Sequence, residues 1–148
     1  MKIEIRKAVI SDADVLYKLN EDFNGKGTTE IDLLKNSLLN NEQEIVFVAS
    51  VNNKTVGFCC VQIFKSMCYS KYYAEITELY VDEGFRRMGI AAKIFEYVEE
   101  YFRNKNIGGY QFFTSENNTV AQSFYEKQGY IKSNEIMYRK RTYMKYSD

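Results

Sequence analysis

Residues 81–100, VDEGFRRMGIAAKIFEYVEE, carry the spacing in this chain most suited to chemistry. Gly84 and Gly89 stand five positions apart with Arg86 and Arg87 between them. An apolar, strand-like run precedes the glycines and an amphipathic, helix-like run follows. A strand that turns through glycine into a helix N-terminus makes an anion site. The first N–H groups of the helix have no internal partner, and the helix dipole favours negative charge there. Glycine lets backbone approach a ligand closely. Two familiar phosphate loops are excluded. Gly84 and Gly89 have nucleotide P-loop spacing, but Ile90-Ala91 follows where that loop requires Lys-Ser/Thr, and no G-x-G-x-x-G is present.

What the chain lacks narrows the chemistry further. It has no histidine, which removes the usual general base, the Ser-His-Asp triad and most zinc sites. Proton transfer must then fall to Glu, Asp, Tyr, Lys, Cys or water. No metal is expected. The three cysteines are Cys59, Cys60 and Cys68. Adjacent residues of a strand point to opposite faces and the count is odd, so a disulfide framework is not expected. Cys59 and Cys60 read as small core residues, and a reducing cytoplasm is the expected compartment.

The elements that must position the loop follow from periodicity. With 148 residues, 45% hydrophobic and 27% charged, the chain fits a single globular domain over 1–148. Lys plus Arg equals Asp plus Glu at 20 each, which argues against broad nucleic-acid binding. No apolar run approaches the length of a membrane span, and the alternating N-terminus reads as a first strand rather than a signal peptide. That strand covers 2–8. Ser11 and Asp14 read as a capping pair for a helix whose face is Val15, Leu16, Leu19 and Phe23. A second helix over roughly 29–40 aligns Ile31, Leu34 and Leu38. Two strands joined at Asn52-Asn53 read as a hairpin. Residues 72–81 form another strand, 90–102 a helix, 109–114 a strand, and 118–128 a helix closed by Gly129. YIKS (130–133) and EIMYRKRTYM (135–144) read as two final strands, with Arg139-Lys140-Arg141 on a solvated edge. Hairpin-linked strands followed by alternation with helices imply an α+β fold, with a mixed, mostly antiparallel central sheet flanked by about four helices.

Arg86-Arg87-Met88-Gly89-Ile90-Ala91 fits Q/R-x-x-G-x-G/A, and its strand–loop–helix setting resembles the coenzyme-A pyrophosphate loop of the GNAT superfamily of N-acetyltransferases. Residues 118–130, NTVAQSFYEKQGY, resemble that family's second signature, N-x-x-A-x-x-[LF]-Y-E-K-x-G-[FY]. The strand order fits as well, and the resemblance spans essentially the whole chain. Ala91 stands where glycine is commoner.

The resemblance implies acetyl-CoA as co-substrate, lying between two splayed strands, here 73–81 and 109–114. Its pantetheine arm would pair with strand backbone at Leu79, Tyr80 and Val81. Arg86 would begin the loop, and the amides of Arg87, Met88, Gly89, Ile90, Ala91 and Ala92 would wrap the pyrophosphate. Asn118 would cap its helix or touch pantetheine. Tyr125 occupies the family's tyrosine position near the sulfur and would protonate the leaving thiolate. The implied reaction is direct attack of a primary amine on the thioester, so the amine must lose a proton. Glu75, eleven residues before the loop, matches the glutamate of the histone-acetyltransferase branch. Glu78, nearer the thioester, matches an acidic position of other branches. Strict alternation sends the two to opposite faces, unless a bulge shifts the register, as this strand often does in the family.

The acceptor stays open at this level: a small-molecule amine of aminoglycoside or polyamine type, or a protein amine. In this fold the acceptor pocket comes from the first two helices with their connection (residues 20–30) and the last hairpin (133–141), where Glu21, Asp22 and Glu30 are candidates to attract a cation. A catalytically silent CoA-binding module is the alternative from another class. The expected state is a monomer or homodimer.

Overall fold

The computed structural model describes residues 1–143. They contain β1 (Ile3–Lys7), α1 (Ala13–Asn24), α2 (Ile31–Asn40), β2 (Glu44–Val51), β3 (Lys54–Phe64), β4 (Tyr72–Val81), α3 (Ile90–Arg103), β5 (Ile107–Phe112) and α4 (Thr119–Lys127). The chain divides into two compact units, Met1–Phe113 and a smaller one from Thr114 onward.

The first unit is a five-stranded sheet in the order β1-β2-β3-β4-β5. Its first three pairings are antiparallel, and β4 with β5 is parallel. The β2–β3 hairpin turns at Asn52 and Asn53, with φ of 48° and 70°. Two consecutive left-handed residues give the mirror-image turn whose twist matches a hairpin, and asparagine tolerates that region better than most residues. The sequence signal at this pair is therefore realised.

Each face of the sheet is covered. On one, Leu16 and Leu19 of α1 pack with Val48, Phe58 and Tyr80, and Leu34 and Leu38 of α2 pack against that cluster. On the other, Phe47 meets Tyr97 and Tyr101 of α3 edge-on at 5.7 and 5.4 Å, and Ile90, Ile94, Phe95, Val98 and Phe102 form the buried stripe of that helix.

The entry to α1 differs from the sequence expectation. Ser11 and Asp14 do not cap it. Buried Asp12 organises the turn instead, accepting from Arg6 Nη1 and Nη2 of β1 at 2.8 and 2.9 Å and from the Val9 amide at 2.8 Å. A bidentate guanidinium outcompetes a local hydroxyl for this role.

The smaller unit holds α4. Asn118 caps it, with Oδ1 accepting from the Ala121 amide at 3.1 Å. Gly129, at φ 94°, closes it, with the Tyr130 amide reaching the Tyr125 carbonyl at 3.1 Å. The two final strands expected at 130–133 and 135–144 are not found among the described residues: 130–143 form no ladder, and Met144 lies outside those described. Alternation alone does not make a strand, which needs a neighbour for its N–H and C=O groups. Here Ile136 and Met137, on opposite parities, are both exposed. Arg139-Lys140-Arg141 is likewise no edge strand.

Candidate active site

The geometry of β4 is set by a bulge. Cys60 pairs with Glu78 and Val61 with Ile76, which leaves Thr77 without a register partner. Thr77 Oγ1 donates to the Cys60 carbonyl at 3.3 Å across the irregularity. Cα partners point their side chains to the same side. Glu75 faces Gln62 and Glu78 faces Cys60, and 60 and 62 share one side of β3. The bulge therefore brings Glu75 and Glu78 to the same face, where strict alternation separates them.

Both face α1 and α2, in different surroundings. Glu75 accepts from Gln111 Nε2 of β5 at 2.9 Å. Glu78 lines a cavity of about 230 Å³ between the two helices and the sheet. Its walls include Leu16, Leu34, Leu38, Val46 and Phe58, and Glu44 is the second carboxylate on it. Burial pushes the carboxyls of Glu78 and Glu44 above the ordinary glutamate range, and the charge of Glu44 raises Glu78 further. Asn20 and Thr29, from the stretch expected to build an acceptor pocket, line this cavity. The carboxylates on it, however, are Glu44 and Glu78 rather than Glu21, Asp22 or Glu30, and Asp22 is ion-paired with Lys18.

Glu44 is the residue sequence reasoning missed. In NNEQEIVF it looks like a loop charge. Its signal lies in the alternation: 44, 46 and 48 fall on one side of β2, so a carboxylate heads the side that Val46 and Val48 bury. Ser37 and Gln62 are its neutral neighbours, with Gln62 Nε2 donating at 3.4 Å and Ser37 Oγ at 3.5 Å.

Beyond the bulge no strand among the described residues pairs with the outer edge of β4. The β4–β5 pairing runs from Tyr72↔Ile107 to Ile76↔Phe112 and stops, while β4 continues to Val81. This is the separation expected between these strands, and it begins at the bulge. The Asp82 amide donates to Val56 of β3 at 2.7 Å. By the antiparallel pattern Val81 and Leu79 then direct their N–H and C=O groups away from β3, to the open edge. The Val81 carbonyl accepts from Arg86 Nε at 3.0 Å. Tyr80 points inward, stacked on Phe23 at 5.0 Å, with the Arg86 guanidinium 5.6 Å from its ring centroid. Arg86 thus braces the start of the loop against the strand.

The loop then turns into α3. Asp82 Oδ1 accepts from the Gly84 amide at 3.0 Å. Arg87 and Gly89 are left-handed, φ 64° and 79°. Gly89 is the N-cap residue and has no side chain to fold over the N–H groups of Ile90, Ala91 and Ala92. A Cβ at Gly89 would meet nothing within 4 Å, so the space before the helix end is open. Met88 is exposed beside it. Together the open β4 edge and this bare helix end offer an extended donor–acceptor track ending at an anion site, which fits a ligand with an amide-bearing arm and a pyrophosphate.

In the smaller unit Tyr125 sits on α4, half-buried, 5.7 Å from the Phe124 ring and 6.3 Å from Tyr130. Burial raises its phenol above the usual value, so the hydroxyl is protonated at neutral pH. Cys59 is buried and its thiol is pushed up to about 12. Burial also raises Cys60, so neither is a thiolate nucleophile. All three cysteines are free. Among the described residues there is no group of His, Cys, Asp and Glu that could hold a metal, and no helix long and apolar enough to cross a membrane.

The chain has relatives in sequence and in fold. A curated uncharacterized N-acetyltransferase of Archaeoglobus fulgidus is 30% identical over 134 residues, covering 85% of this chain and 91% of its own length. An aminoglycoside acetyltransferase from an uncultured soil metagenomic sample, solved with trehalose, superposes with a TM-score of 0.83 at 20% identity, covering 95% of this chain and 96% of that one. An aminoglycoside N-acetyltransferase solved with CoA gives 0.79 at 18% identity and 95% coverage of each chain. The model of the acetyltransferase (GNAT) family matches residues 13–130. The chain belongs to that family and is an N-acetyltransferase, of a superfamily whose acyl donor is acetyl-CoA.

Proposed function

We propose that the whole chain acts as one acetyltransferase domain of the cytoplasm, moving the acetyl group of acetyl-CoA to a primary amine of a small molecule, aminoglycoside- or polyamine-like, by direct attack in a ternary complex. The observation that carries this reading is the junction at the β4 bulge. Glu78, in an apolar-walled cavity, is adjacent in the chain to Leu79, whose backbone faces the open edge. An amine in the cavity and a donor along the edge would meet there.

Acetyl-CoA supplies the thioester carbonyl that is attacked and the thiolate that leaves. Glu78 takes a proton from the amine nitrogen, directly or through water. Its raised affinity for protons brings it nearer to the amine, whose pKa is about 10 if lysine-like, and so makes it a better base than an ordinary surface carboxylate. Glu75, held by Gln111, shapes the same face. Tyr125, assigned by its motif, returns a proton to the sulfur. Leu79 and Val81 orient the arm of the donor, and the amides of Arg87 to Ala92 hold its pyrophosphate. Much of the acceleration then comes from positioning.

The test is thiol release from acetyl-CoA against a panel of diamines, monoamines, aminoglycosides and lysine-bearing peptides, with acetyl-CoA binding measured alongside. Turnover confined to small-molecule amines is the expected result. Turnover of peptides alone overturns the acceptor class, and binding without any turnover makes the chain a silent CoA-binding module.

A further inference from the structure

Glu44 has a carboxylate that the transfer reaction does not require. It lines the same cavity as Glu78, from the opposite side of β3: Val46 pairs with Cys60, and Cys60 with Glu78, so the small Cys60 side chain stands in the row that reaches Glu78. Two register positions on, and on the same side, Glu44 pairs with Gln62. Both glutamates are half-buried, and among the described residues neither has a Lys or Arg nitrogen within 4.0 Å. The polar contacts of Glu44 are long and neutral, to Ser37 and Gln62. Two partly desolvated carboxylates facing one space repel each other when both are ionised, and a cation between them relieves that repulsion.

The rest of the lining selects among cations. Leu16, Leu33, Leu34, Leu38, Val46 and Phe58 present hydrocarbon. A polyhydroxylated amine would find few partners for its hydroxyls beyond Asn20, Thr29 and Ser37 on these walls, whereas a chain of methylenes matches the hydrocarbon that dominates them. A monoamine neutralises one carboxylate and leaves the other unpaired. An aliphatic amine with ammonium groups at both ends satisfies both.

We propose that Glu44 is a specificity-determining residue of the acceptor site, pairing with the second, non-reacting ammonium of an aliphatic diamine whose first nitrogen is presented to Glu78. The proposal rests on the acetyl-transfer reading and narrows its acceptor class. The reacting end loses its proton and forms the amide. The other end stays charged and is held by Glu44, which takes no part in the proton transfer.

The test compares 1,4-diaminobutane with 1-aminobutane, which share the alkyl chain and differ in the second charge. With acetyl-CoA, the native protein is expected to favour the diamine in kcat/KM. Glu44→Gln should raise KM for the diamine by about ten- to a hundredfold more than for the monoamine, on the scale of one lost ionic hydrogen bond, with the larger change in KM rather than kcat. Glu44→Asp, which keeps the charge, should keep the preference. Equal treatment of the two amines by the native protein, or a diamine-to-monoamine ratio unchanged in Glu44→Gln, overturns the assignment. Melting curves confirm that both variants fold. Calorimetric titration of the same amines into CoA-loaded protein separates this proposal from the reaction it rests on. A diamine preference in binding that Glu44→Gln removes sustains the role of Glu44 even if no thiol is ever released. No diamine preference in binding overturns it even if other amines are acetylated.

Discussion

At the scale of single residues, the informative contrast is between two glutamates three positions apart. Glu78 is raised by burial first and by the Glu44 charge second, and it lines the cavity. Glu75 is occupied by Gln111. Glu78→Gln is therefore expected to lower kcat/KM by about a hundredfold, the scale of general-base catalysis, and Glu75→Gln by much less. The native kcat/KM should rise with pH as the Glu78 carboxylate ionises, above the ordinary glutamate range because its pKa is raised, and again as free amine accumulates. The first rise should vanish in Glu78→Gln. A profile identical to the native one would show that the amine gives its proton to water. Tyr125→Phe tests the other end of the proton path. A fall in kcat of roughly ten- to a thousandfold, with acetyl-CoA affinity retained, is expected if the phenol protonates the sulfur. Full activity at neutral pH would make Tyr125 a packing residue, as its ring contacts with Phe124 and Tyr130 already allow.

At the scale of elements, the loop between β4 and α3 works through backbone, so the side chains of Arg87 to Ala92 matter less than conformation and space. Gly89 combines φ 79° with open space where a Cβ would be. Gly89→Asp strains the turn and sets a carboxylate before the helix N-terminus. Acetyl-CoA at roughly a hundred times its Kd should stabilise the native protein by about 2.7 kcal/mol, read as a rise in Tm. The variant should lose most of that rise while still melting cooperatively. A full ligand-induced shift in the variant would move the pyrophosphate site elsewhere. The bulge at Thr77 belongs to the same scale. It turns Glu78 toward the cavity at the point where β5 ends, so one irregularity both aims a carboxylate and precedes the open edge.

At the scale of the larger unit, the cavity exists because α1 and α2 are held over the sheet, and Asp12 is the tie between β1 and α1. The Arg6 hydrogen bonds come first among the causes that hold its carboxyl below the ordinary aspartate range. A carboxyl with a depressed folded value stabilises the fold above its unfolded value, about 3.9. That stability is lost as pH falls through the folded value. Acid unfolding of the native protein should therefore steepen below about pH 4. Asp12→Asn should cost about 1 kcal/mol at neutral pH, from the loss of charged hydrogen bonds to a half-exposed guanidinium that water can partly replace. The difference from the native protein should shrink on acidification. A constant difference across pH would mean that Asp12 acts by shape alone.

Much of this was determined by the sequence alone. The helices at 13–24 and 90–103, the Asn52-Asn53 turn, the loop at Gly89 and the caps at Asn118 and Gly129 are local. Side-chain periodicity, left-handed propensity and capping chemistry act over a few neighbours, and those neighbours are consecutive. Glu75 and Glu78 were visible as candidates through the family resemblance, which rests on motifs that are likewise consecutive in the chain. Three things only the tertiary structure decided. The bulge at Thr77 is a mismatch in length between β3 and β4, and register is a property of two strands. The cavity and the place of Glu44 on it depend on α1 and α2 lying over β2, β3 and β4, which brings together residues far apart in the chain. The fate of residues 130–143 turns on ladder partners, which an alternating pattern does not supply. Local propensity marks which residues are available for chemistry, and only packing sets which of them share a space.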